Sequence, residues 1–162
     1  MAWNVDDPVL GGAGRIVPIG ALAERVGEHL GYSRWREITQ EQVNRFADTT
    51  GDHQWIHEDV ERARAGPFGG TIAHGYLTLS LMPMLLWEIL DVEGASTIIN
   101  YGLNRVRFPA PVPVGAKLRL GAELVAVEDV HGGLQVTLRG TIEVEGSAKP
   151  GCVAEMLLRY YL

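Results

Sequence analysis

The chain has 162 residues, 46% of them hydrophobic and 21% charged, enough for one domain with a real core and too few for two ordinary ones. Its formal charge of −6 and pI near 5.3 give no basic footprint, so nucleic acid is not an expected partner. The one cysteine, Cys152, makes no internal disulfide, which agrees with a reducing cytoplasm.

The opening segment, MAWNVDDPVLGGAGRIVP, has acids and glycines where a signal peptide needs a basic start and an apolar run. Residues 1–17 read as a loose arm ahead of a single domain over 18–162. In IGALAERVGEHLG, Leu22, Val26 and Leu30 recur at spacings of four, predicting a short amphipathic helix that stops at Gly31. An extended piece, YSRWREI, leads into TQEQVNRFADTTG, where Thr39 and Gln42 fit a capping box and Val43, Phe46 and Ala47 form an apolar stripe. That helix should end near Gly51, leaving TTGDHQWIHED as a loop, with one or two helical turns in EDVERARAG.

Next comes YLTLSLMPMLLWEIL, Tyr76 to Leu90, shorter than the roughly 20 residues a membrane-spanning helix needs. No membrane segment is expected. The stretch reads as a core helix covered on most sides, kinked or divided at Pro83 because proline removes a hydrogen bond and clashes with the preceding turn. Four long strand candidates follow: STIINYGLNRVRF, AKLRLGAELVAVED, LQVTLRGTIEVE and CVAEMLLRYYL. In the third, Leu134, Val136, Leu138, Ile142 and Val144 alternate with Gln135, Thr137, Arg139, Thr141 and Glu143, the period of a half-buried antiparallel strand. DVHGG and EGSAKPG punctuate the strands as hairpin connections and PAPVPVG is a stiff link. The fold class is α+β, with helices followed by an antiparallel sheet that must wrap the apolar helix.

FADTTGDHQWIHEDVERARAGPFGGTIAHGYLTLSLM, followed by NYGLNRVRFPAPVPVGAKLRL, resembles the MaoC-like dehydratases, the group that contains the (R)-specific enoyl-CoA hydratases (hydratase 2). The resemblance runs from about residue 32 to the C-terminus. Its most diagnostic element is the Gly-Asp-x-Asn-Pro-x-His signature, matched by Gly51, Asp52 and His57, with the later Ala-His-Gly matched by Ala73, His74 and Gly75. Gln54 stands where the family has Asn, and Trp55 where it has Pro. The resemblance implies a hotdog fold, in which an antiparallel sheet wraps a long central helix, in a homodimer whose sheets join edge to edge. It also implies an acyl-CoA thioester substrate, no cofactor beyond the coenzyme A of that substrate, and an acyl tunnel near the dimer interface.

Hydrating a trans-2-enoyl thioester requires a base for the attacking water, a proton at C2 and a donor for the thioester oxygen. By resemblance, Asp52 and His57 are the acid–base pair, and Gly75 supplies a backbone N–H to the oxygen. A helix N-terminus with a glycine suits that last task. Each residue also has a plainer reading: a turn former for Asp52, a satisfied core or surface histidine for His57, a permissive turn for Gly75. His53 faces solvent or holds the loop, and His74 orients the backbone ahead of Gly75 or meets substrate. Trp55 is a wall of the acyl tunnel or a packing residue. Arg105 and Arg107 share a strand face and either meet the phosphates of coenzyme A or form a solvated face. A metal at His53 and His57, four apart, with Asp52 and His74 in reach, would need a helical stretch there, and no metal is expected. The expected activity is reversible (R)-specific hydration of enoyl-CoA. Its alternatives are a dehydratase on acyl-carrier-protein thioesters, or a non-catalytic acyl-CoA-binding subunit of a two-chain dehydratase.

Overall fold

The computed structural model describes residues 14–162. Most of the arm expected over 1–17 lies outside them. Its last residues are ordered: β1 (Arg15–Pro18) pairs in parallel with β4 (Leu90–Glu93), and Val17 is buried.

The helix expected over residues 19–31 does not form. Ile19–Ala21 and Ala23–Arg25 are single 3₁₀ turns, and the chain then enters β2 (His29–Tyr32), which pairs antiparallel with β6 (Lys117–Val130). Gly27 and Gly31 sit at φ +90° and +126°, a backbone that glycine alone adopts readily and that no α-helix contains. Only Leu22 of the spaced trio is fully buried, and Val26 is exposed. After β3 (Arg36–Glu37), α1 (Gln40–Thr50) begins with the expected capping box of Thr39 and Gln42 and ends on Gly51 at φ +78°. Val43 and Ala47 face the core.

The predicted loop contains one unforeseen turn of helix, α2 (Trp55–Glu58), followed by α3 (Val60–Arg64), capped by the Asp59 side chain accepting from the Arg62 N–H. The apolar helix is divided where Pro83 predicts: α4 (Gly75–Ser80) and α5 (Met82–Trp87) meet at Leu81. It is less covered than its sequence suggests, since Tyr76 is 72% exposed and Trp87 is also open to solvent. Glu88, just beyond α5, is instead buried against Arg36.

β6, β7 (Gly133–Val144) and β8 (Cys152–Tyr161) form consecutive antiparallel hairpins, with β5 (Thr97–Arg107) added beyond β8 and β2 beyond β6. The alternation in β7 is largely as read: Val136, Leu138, Ile142 and Val144 are buried in the core, Leu134 is half-buried, and Thr137, expected to face outward, is buried as well. Met82, Leu85 and Leu86 fill the concave side together with Leu118, Leu120, Leu124, Met156 and Leu158. Burying side chains of this size contributes about 1.5–3 kcal/mol each. β5 is an edge strand along which Ile98, Ile99, Tyr101 and Leu103 remain exposed.

Candidate active site

The site is built where three segments meet: the chain leaving α1, the α2 turn and the start of α4. α2 delivers His57 inward, where it is only 6% exposed. Its Nδ1–H donates to the Ile72 carbonyl across 2.7 Å, while the Ile72 N–H donates to the Ile56 carbonyl at 3.0 Å. This double clip fixes the ring. With Nδ1 carrying the proton, Nε2 of the neutral imidazole is left with its lone pair. Gln40, which the sequence did not single out, donates through Nε2 to the His57 carbonyl at 2.7 Å and accepts from Thr71 Oγ1 at 2.6 Å. Its place at the first turn of α1 gave no sign of that role.

The segment Thr71–Ala73 is held by the stiff link seen in the sequence. The Ala73 N–H donates to Val112 O at 2.8 Å and the Val114 N–H to Thr71 O at 2.9 Å. That support sets His74 at the N-cap of α4. The His74 ring stacks on His57 with centroids 3.7 Å apart and planes 24° from parallel, and Phe46 backs it at 5.0 Å. His74 Nε2–H donates to the backbone carbonyl of Asp52 at 2.9 Å. Asp52 itself is exposed. One carboxylate oxygen of Asp52 and one ring nitrogen each of His57 and His74 lie within 4.8 Å of one another. A cavity of about 150 Å³ opens beside them, lined by His57, Gly75, Thr78, Phe108, Val112 and Gly151 among others.

Such a trio is also a possible metal cradle, but an imidazole nitrogen offers its lone pair in the ring plane, and two stacked planes do not aim at one ion. The four-residue offset between His53 and His57 brings no pair of ligands together either. α2 starts after His53, which turns outward to Glu58 at 2.8 Å, Nδ1 to Oε2, while His57 faces Ile72.

Of the remaining predicted residues, Gly75 lines the cavity at His57, while Trp55, Arg105 and Arg107 are not among its lining residues. Gly75 begins α4, and a Cβ built there would meet the Phe108 ring at 3.2 Å. Phe108 therefore closes over this position, another residue the sequence did not select. Trp55 starts α2 with the Arg62 guanidinium 4.3 Å above its ring, and Gly66 packs closely on the same ring, where a Cβ would lie 3.1 Å away. Trp55 thus links α2 to α3. Arg105 and Arg107 lie exposed on β5 opposite Glu155 and Val153. Among the described residues neither bonds to the Asp52–His57–His74 group, and Arg107 Nη1 donates to its neighbour's carbonyl at Val106.

A second, apolar groove of about 250 Å³ runs between α4–α5 and the β8–β5 edge, bounded by Leu79, Pro83, Leu103, Met156 and Leu158. Ser80 lies in this groove and Thr78 in the cavity at His57, a division that only the fold makes visible.

The family model for a MaoC like domain matches residues 21–146. The chain belongs to the MaoC-like dehydratase family. Within that family it is 59% identical over 143 residues to 3-hydroxyacyl-thioester dehydratase Z of Mycobacterium tuberculosis, covering 88% of this chain and 95% of that one. It is 40% identical to nodulation protein N of Rhizobium leguminosarum bv. viciae, over 84% of this chain and 86% of the relative. Among solved structures, the (R)-hydratase from A. caviae involved in PHA biosynthesis superposes with a TM-score of 0.68 at 26% identity, covering 82% of this chain and 94% of that one. The architecture of this MaoC-like protein is the hotdog fold. Among the described residues, no helix is long and apolar enough to cross a membrane.

Proposed function

We propose that the protein is a cytoplasmic hydro-lyase that reversibly adds water to a trans-2-enoyl-CoA, giving the (R)-3-hydroxyacyl-CoA. The observation that carries this reading is the convergence of Asp52 and a His57 whose Nδ1 is committed to Ile72 O, beside the first turn of α4. His57 Nε2 takes a proton from a water that the Asp52 carboxylate orients. The hydroxide forms a bond to C3 as the C2–C3 π pair moves toward the thioester carbonyl, and the resulting oxyanion accepts from the Gly75 N–H. The imidazolium then returns the proton to C2, so one water is added and both catalytic groups are restored. Positioned acid–base groups of this kind typically contribute on the order of 10²–10⁴-fold.

The name of the M. tuberculosis relative supports a thioester substrate, and that of the A. caviae structure supports the (R) product. The apolar groove at Leu79, Pro83 and Leu103 would take the acyl chain. A second copy would cover the exposed apolar residues of β5 together with Tyr76 and Trp87. Arg105 and Arg107, exposed at the end of β5, offer guanidinium groups to the phosphates of coenzyme A.

The test is loss of enoyl-thioester absorbance with crotonyl-CoA and longer trans-2-enoyl-CoA substrates, with the product's configuration assigned by a stereospecific dehydrogenase. Rapid loss giving the (R)-alcohol, abolished in Asp52→Asn and His57→Ala proteins of unchanged fold, is the expected result. Turnover only of the same acyl group on a carrier protein would move the substrate there. Full activity in both variants would refute the assignment of the pair.

A further inference from the structure

His74 keeps a buried polar atom unused. The residue is 2% exposed, and among the described residues Nδ1 has no hydrogen-bond partner. Because Nε2 carries the proton that it donates to Asp52 O, Nδ1 of the neutral ring is a bare acceptor. Leaving such an atom unsatisfied is unfavourable. A phenylalanine would fill the space between Phe46 and His57 without that penalty, so packing alone does not account for a histidine here.

What the histidine adds is a set of simultaneous attachments. Through Nε2–H it holds the backbone of Asp52 at 2.9 Å. Through its face it holds the His57 ring at 3.7 Å. Its backbone carbonyl, which any residue here would supply, accepts the Thr78 N–H at 3.1 Å and Thr78 Oγ1 at 3.2 Å, so the ring that makes the two side-chain attachments is itself anchored to the first turn of α4 behind Gly75. We infer that His74 is a positioning residue, locking Asp52, His57 and the start of α4 into one geometry without itself touching substrate. The inference rests on the hydratase reading above for the identity of the groups being positioned.

Three substitutions separate its attachments. His74→Phe keeps the stacking face and loses the donor; His74→Gln keeps a donor able to reach Asp52 O and loses the ring; His74→Ala loses both. With crotonyl-CoA, kcat should fall about 10²-fold in His74→Ala, the scale of a small misplacement of reacting groups. KM should stay within about threefold, as when ground-state contacts are untouched. His74→Gln should recover part of the loss, and adding His74→Phe to a His57→Ala protein should cost far less than it does in the wild type, because there is no ring left to hold. In protein with ¹⁵N-labelled histidine, the His57 ring should report a proton on Nδ1 in the wild type and a mixture of tautomers in His74→Ala.

Wild-type kcat in all three variants would overturn the inference, and so would a raised KM with intact kcat, which would make His74 a substrate contact. If His74→Ala does not fold, His74→Phe and His74→Gln carry the same kinetic and spectroscopic test. A wild-type protein that turns over no enoyl-CoA refutes the proposed function instead. The tautomer of His57 still decides the positioning role in that case, and an unchanged tautomer in the variants would sink it.

Discussion

Glu88 accepts a hydrogen bond from Arg36 Nη2 at 2.5 Å with both side chains buried, and its other oxygen accepts the Arg34 N–H at 2.8 Å. The pair pins the end of α5 to β3, the strand that precedes α1. Removing one partner of a buried ion pair costs about 3–5 kcal/mol, because the remaining charge stays out of water after losing its counter-charge. Glu88→Ala should lower the thermal midpoint by about 10 °C at this chain length, and Glu88→Gln, which can still accept from the Arg34 N–H, by less. Calorimetry of the two variants checks the order.

Gly75→Ala should separate stability from activity. Alanine favours a helix over glycine by up to about 1 kcal/mol, and the added methyl meets the Phe108 ring at 3.2 Å, so the two effects oppose and the thermal midpoint should move little. Under the proposed mechanism the methyl would also crowd the approach of the thioester oxygen to the Gly75 N–H. A fall in kcat of about 10²-fold is expected, the scale of a lost oxyanion donor. Unchanged kcat would remove Gly75 from the mechanism.

Much of this frame was legible in the sequence, and the exceptions have physical causes. The capping box at Thr39 and Gln42 and the alternation in β7 are local patterns, and local patterns survive folding. Residues 19–31 mimic a helix because Leu22, Val26 and Leu30 happen to be four apart, but Gly27 and Gly31 need positive φ and the segment gains more by pairing β2 with β6. The pairing of β1 with β4 joins segments far apart in the chain and leaves no periodic trace. Asp52, His57 and Gly75 were legible only through a family signature, not through periodicity. The stack of His74 on His57, the support from Gln40 and the cover from Phe108 arise from segments that meet only in the fold.

Alkaline pH should destabilise the protein through two buried acids. Burial pushes the Cys152 thiol from 9.0 up to about 11, and burial, then the nearby charge of Asp91, pushes the Tyr160 phenol from 10.0 up to about 12. Both groups bind their protons more tightly when folded. Their contribution is therefore complete below about pH 9 and is lost as pH rises through about 11 to 12, by a few kcal/mol in all. Urea midpoints should be flat from pH 7 to 8.5 and fall above it, and Cys152→Ala should flatten the lower part of that fall. The same burial predicts that native Cys152 resists alkylation until the protein unfolds.

Leu103 sits on the exposed β5 edge, opposite Met156. If a second copy covers this edge, sedimentation should give twice the chain mass of 17.7 kDa, and Leu103→Glu should shift the population toward monomer by burying a charge in an apolar contact. A monomeric wild-type protein would remove the dimer.

Among the described residues, the cavity beside His57 and the groove beside Leu79 have no lining residue in common. One is walled by the α2 turn, the start of α4 and the stiff link; the other by the later turns of α4, α5 and the sheet edge. Substitutions that deepen, shorten or roughen the groove leave every wall of the His57 cavity in place. If the groove holds the acyl chain and the cavity the acid–base pair, as proposed, a lineage built on this chain is free to drift in what it grips while inheriting its chemistry unchanged.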